Sequence, residues 1–104
     1  MTRLAFTLLL EAENLPEYTR RHNELWPELR AAIRDQGGSN FSIFYDDQTR
    51  RVFCYLEVAD ADRWAAGAKS EITQRWWRYM SEVMPTNADL SPITHDLAEV
   101  FHQE

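Results

Sequence analysis

Tyr18, His22, Trp26 and Leu29 recur at helical spacing, so a helix would place them on one face. A core stripe is normally built from Leu, Ile and Val. This one carries a phenol and an imidazole one turn apart, which is the pattern of a pocket lining. An imidazole titrates near neutral pH and is the natural general acid or base. A lone histidine is more often structural than catalytic, but Tyr18 beside His22 and Pro27 soon after it weigh toward a site. Arg20 and Arg21 precede the ring and, if they lie near it, would keep it neutral. The doublet Trp76-Trp77 is the second aromatic feature. Adjacent helical residues diverge by about 100°, which points to one core tryptophan and one at a surface or interface. The functional reading is that at least one stacks on a ligand ring. Indole faces pack against the C–H face of sugars, and their N–H groups donate hydrogen bonds.

Other chemistries find little support. The imidazoles are His22, His95 and His102, and no two have the spacing of a metal-ligand pair, so no metal is expected. With three glycines, neither a dinucleotide loop nor a nucleophile elbow can be written. Cys54, the single cysteine, cannot form an intrachain disulfide and lies in an apolar run, where a thiol behaves as a small hydrophobe. A reducing, cytoplasmic compartment fits. Eleven basic and seventeen acidic residues give a net charge of −6, interleaved along the chain. That argues against nucleic acid, which requires a basic face. The longest apolar run, residues 4–10, is too short to span a bilayer, and Glu11 and Glu13 replace any cleavage pattern, so no membrane partner is expected.

The elements that would position these residues follow from periodicity. Residues 3–10 form a strand apolar on both faces. Asn14 is placed to cap a helix beginning at Pro16 and running to about Asp35, with a kink or break at residues 23–26 forced by Pro27. Gly37-Gly38 stops it. Residues 40–45 and 51–58 alternate as strands around a polar turn and make an antiparallel hairpin. Asp60 caps a further helical region, Gly67 weakens it, and Ser70 restarts it for residues 70–83. Residues 86–94 are a loop, and 95–101 a final strand or helical tail. The result is one domain over residues 1–104, an α+β, ferredoxin-like βαββαβ fold with helices on one face of an antiparallel sheet. Twelve per cent aromatic content is high for so short a chain. It implies an aromatic pocket, a self-association face, or both. The bare sheet face is most simply covered by a second copy, giving a two-fold homodimer.

Three blocks carry a resemblance. They are Glu17-Tyr18-x-Arg-Arg-His22-Asn23-x-x-Trp26-Pro27-Glu28-Leu29, then Gln74-Arg75-Trp76-Trp77-x-Tyr79-Met80, then Val83-Met84-Pro85-x-Asn87. In order, spacing and length the chain resembles the L-rhamnose mutarotase family from end to end. The resemblance implies a homodimeric, dimeric α+β-barrel fold without cofactor that interconverts the α and β anomers of L-rhamnose. It makes His22 the proton donor, with Tyr18 and the Trp76-Trp77 pair on the sugar. A further sugar-contacting position, commonly Tyr in the family, is Phe41 here. The ring is kept and the hydroxyl is lost. The competing readings are another enzyme on the same barrel, either a cofactor-free monooxygenase or a haem-degrading protein, and a sugar-binding module without catalysis.

Overall fold

Val52, Cys54, Leu56 and Val58 alternate along one strand and are all buried, while Phe53 between them is partly exposed. Period-two alternation of this kind needs a sheet with one covered face. The computed structural model describes residues 1–104. Its chain order is β1 (Thr2–Leu9), α1 (Leu15–Asn23), α2 (Pro27–Asp35), β2 (Gly38–Asp46), β3 (Arg51–Val58), α3 (Ala61–Ala66), α4 (Glu71–Met80) and β4 (His95–Leu97). Short 3-10 turns, Ala12–Asn14 and Gly67–Lys69, precede α1 and α4.

The sheet order is β2-β3-β1-β4, with every neighbouring pair antiparallel. This is the ferredoxin-like arrangement expected from the element order. Residues 95–101 resolve as the three-residue strand β4 on the edge of β1, followed by residues without regular secondary structure. On the covered face, Phe6 is level with Cys54 and Ile43, and Leu8 with Val52 and Tyr45. Tyr18 from α1, Met80 from α4 and Val83 just beyond it close over Leu8, Leu10, Val52 and Cys54 to form the core.

The local signals explain most boundaries. Pro27 has no amide to donate, and Trp26 before it is extended at φ −59°, ψ 132°, so the predicted long helix is two helices with a break between them. Gly37 takes φ +88° where the chain turns from α2 into β2. The Asp60 carboxylate accepts from the amides of Asp62 and Arg63, and the Ser70 hydroxyl accepts from that of Thr73. Asn14 departs from expectation. It makes no side-chain cap, because the preceding 3-10 turn already holds it at helical angles (φ −92°, ψ −6°) and a cap residue needs extended ones.

The opposite sheet face is mixed, and its middle carries a patch of large apolar side chains among polar ones. Phe44 and Phe53 stand in register with Thr7, and Leu97 with Ala5 and Tyr55. Phe44 is 68% exposed, and Leu9 and Leu97 are also exposed. No helix is long and apolar enough to cross a membrane.

Candidate active site

The break between α1 and α2 leaves His22 in the last turn of α1. The preceding turn supplies its anchor. His22 Nδ1 lies 2.9 Å from the carbonyl oxygen of Tyr18. A carbonyl only accepts, so Nδ1 carries the hydrogen and Nε2 is the ring nitrogen left for chemistry. The Tyr18 ring lies 4.4 Å from the imidazole, and Trp76 from α4 meets it edge-on at 5.4 Å. The imidazole is thus fixed by one hydrogen bond and two aromatic neighbours.

Burial lowers the His22 pKa from its ordinary value, and the hydrogen bond to Tyr18 only partly opposes this. The expected cause was different. Arg20 and Arg21 are engaged by Glu17, Glu24 and Glu82, and burial is what lowers the His22 pKa. Arg20 and Arg21 in turn hold the Glu17 carboxyl down to about 2. Burial pushes the Tyr18 phenol well above its usual range, so it acts as a neutral hydroxyl. The Cys54 thiol is likewise pushed up to about 12, which leaves it packing rather than reacting.

Tyr18, His22 and Cys54 line a cavity of about 900 Å³ between the sheet and the helices. Tyr18, His22, Phe41, Trp76 and Trp77 all border it. The 100° divergence of the tryptophan pair therefore does not send one of them elsewhere, since the cavity is wide enough to meet both. Trp76 also stacks edge-on against Trp26 at 5.1 Å, with Tyr79 beside both. Trp26 is thus packing behind the cavity wall. The ionisable side chains on the wall are Tyr18, His22, Cys54, Arg30 and Arg34, with no carboxylate among them.

Phe41 reaches the cavity through a feature that alternation alone did not reveal. Ser39 pairs with Glu57 and Ser42 with Tyr55, so β2 has one extra residue opposite Leu56. The bulge puts Asn40 at φ 49°, a left-handed conformation that Asn tolerates well, and its amide donates to Glu57 at 3.0 Å. The segment 86–94, read only as a loop, also contributes to the wall through Thr86, Leu90, Pro92 and Thr94. Asn87 ties the loop to Ser91 and Pro92, and Leu90 sits at φ 70°. Its Asn-x-Asp-x-Ser pattern of short polar residues was the available signal for a self-bonded turn.

Known proteins extend this picture. A family model described as L-rhamnose mutarotase matches residues 3–103. A protein of that name from Oceanobacillus iheyensis is 43% identical over 104 residues, covering all of both chains. One from Opitutus terrae is 47% identical over 102 residues, 98% of each chain. The crystal structure of an L-rhamnose mutarotase from Formosa agariphila superposes with a TM-score of 0.90 at 38% identity over both full chains. A putative antibiotic biosynthesis monooxygenase from Nitrosomonas europaea shares the fold alone, with a TM-score of 0.63 at 11% identity over 95% of this chain and 89% of that one. Whole-length similarity at this level, carried by a family model spanning nearly every residue, places the chain in the L-rhamnose mutarotase family.

Proposed function

We propose that the protein interconverts the α and β anomers of L-rhamnose, with His22 exchanging the proton at the ring oxygen. The observation that carries this reading is the fixed tautomer of His22 on the wall of an aromatic cavity, in a chain of the mutarotase family. Opening the pyranose requires a proton on O5 and the loss of one from the anomeric hydroxyl. The C1–C2 bond then rotates, and O5 attacks the other face of the aldehyde. Nε2 carries a transferable proton only in the imidazolium form of His22. In that form it gives the proton to O5 during opening while a water molecule accepts the proton lost by the anomeric hydroxyl, and both transfers reverse during closure, by microscopic reversibility. A buried imidazolium is a stronger acid than a solvated one, so the lowered pKa eases the donation. One well-placed acid–base group contributes about 10²–10⁴-fold, which suits a reaction that already proceeds in water. The Tyr18 hydroxyl, held neutral by burial, orients the sugar by hydrogen bonding. Trp76, Trp77 and Phe41 offer ring faces to its C–H surfaces.

The assay is exchange NMR on L-rhamnose at anomeric equilibrium. The protein is expected to accelerate transfer of saturation between the α and β H1 resonances. Exchange at the buffer rate, together with quenching of tryptophan fluorescence by the sugar, would instead favour a binding module.

The working unit in this proposal is a homodimer in the cytoplasm, closed by the sheet face that carries the apolar patch of Phe44, Phe53, Leu9 and Leu97. Leaving so much large apolar side-chain surface in water is unfavourable, and an identical face of a second copy matches it by symmetry.

A further inference from the structure

Arg20 and Arg21 are neighbours in sequence but not in role. The Arg20 side chain is 49% exposed; it pairs with Glu17 and Glu24 along its own helix and also neighbours the Tyr79 hydroxyl, but it bonds no carbonyl of α4. The Arg21 side chain is 10% exposed and crosses from α1 to the end of α4. Its Nε donates to Glu17 at 2.7 Å, its Nη1 to the carbonyl oxygen of Tyr79 at 2.6 Å, and its Nη2 pairs with Glu82 at 3.0 Å. The guanidinium carbon also lies 3.9 Å from the centre of the Tyr79 ring.

The Tyr79 carbonyl is one of four at the end of α4 that have no partner within the helix. Trp77 O receives the amide of Ser81, Arg78 O receives the Ser81 hydroxyl, and Met80 O receives the amide of Val83. Tyr79 O is left to Arg21. One planar cation therefore completes the C-terminus of α4, meets its negative dipole end and bonds back into α1. Tyr79 is one turn beyond Trp76, which forms the edge contact to His22, and Arg21 immediately precedes His22. The backbones of α1 and α4 scarcely approach one another. Side chains, not backbone packing, set their register.

We infer that Arg21 is the positioning residue of the site, a clamp that fixes the His22 imidazole against Trp76 by locking the last turn of α1 to the end of α4. This rests on the mutarotase reading of His22. Arg21 need not touch the sugar, since it acts through the two helices that do. A displacement of about 1 Å in a catalytic group costs about 10²-fold in rate, so loosening the clamp should lower kcat rather than raise KM.

The test compares wild type with Arg21→Met, Arg21→Lys and Arg20→Met by exchange NMR over a range of L-rhamnose concentrations and pH. Near-ultraviolet circular dichroism of the tryptophan cluster is recorded alongside. For Arg21→Met the expected result is a kcat at least tenfold lower per folded molecule, a KM within about threefold, an altered aromatic signal and a shifted pH profile. Arg21→Lys keeps the charge but cannot serve three acceptors at once, so it should recover only part of kcat. Arg20→Met should stay within twofold of wild type. Wild-type kcat and pH profile in both Arg21 variants would overturn the inference, as would equal losses in the Arg20 and Arg21 variants. If Arg21→Met fails to fold, Arg21→Lys decides alone: full wild-type kcat refutes the clamp, and a several-fold deficit with unchanged KM supports it. Failure of the wild type to accelerate exchange would instead refute the mutarotase reading itself.

Discussion

Phe41→Tyr adds a single hydroxyl at the proposed sugar site. Phe41 borders the cavity and is 39% exposed, so a para hydroxyl would project toward open space rather than into packed side chains. The bulge that aims the ring is held by Asn40 and Glu57, and the substitution leaves both untouched. Stability should therefore move by no more than about 0.5 kcal/mol, as for a typical surface change. A neutral hydrogen bond contributes about 0.5–1.5 kcal/mol net, which corresponds to about 2- to 13-fold tighter sugar binding. The assay is a tryptophan fluorescence titration with L-rhamnose, paired with the concentration dependence of anomer exchange. The expected outcome is a lower Kd and KM at nearly constant kcat, because the added bond serves both anomers alike. Two results would refute the reasoning. Unchanged affinity would mean that ring 41 does not face the sugar. Destabilisation by about 1–3 kcal/mol would mean that the hydroxyl is buried without a partner.

Three further outcomes follow from the structure. Leu56 is fully buried in the central strand β3, and Leu56→Ala should cost about 2–5 kcal/mol in urea unfolding. Burial holds the folded-state pKa of His22 below its unfolded value of 6.5, so the unfolded chain takes up a proton first as the pH falls. Stability should thus decline as pH drops from 6.5 toward the lowered value, and His22→Gln should flatten that segment of a urea midpoint-against-pH curve. The lowered carboxyls of Glu17, Asp46, Glu57, Asp89 and Glu99 act in a separate, more acidic window, where their stabilisation is lost. A Phe44→Glu, Phe53→Glu double variant should sediment as a monomer where the wild type sediments as a dimer; a wild-type monomer would dismiss the proposed interface.

What the sequence made legible was what neighbouring residues decide. Pro27 splits one helix into two because a missing amide and a displaced Trp26 act within a turn. Asp60 and Ser70 announce helix starts for the same reason. Tyr18 and His22 lie one turn apart, so their shared wall could be read from spacing. Asn14 misled because a 3-10 turn was already in place before it. The β2 bulge stayed hidden because it exists only relative to the pairing strand. The neutral state of His22 was expected for the wrong reason: two adjacent arginines are visible in sequence, whereas desolvation by elements far along the chain is not. The bond from Arg21 to Tyr79 spans 58 residues, and no local pattern announces it.

The central claim is that the Nε2 atom of His22 moves the proton at the sugar ring oxygen. Saturation-transfer NMR on L-rhamnose with wild type and His22→Ala at equal concentrations of folded protein tests it directly. The account predicts that the variant keeps the far-ultraviolet spectrum of the fold and loses acceleration by about 10²-fold or more. Exchange in His22→Ala as fast as in wild type would contradict it.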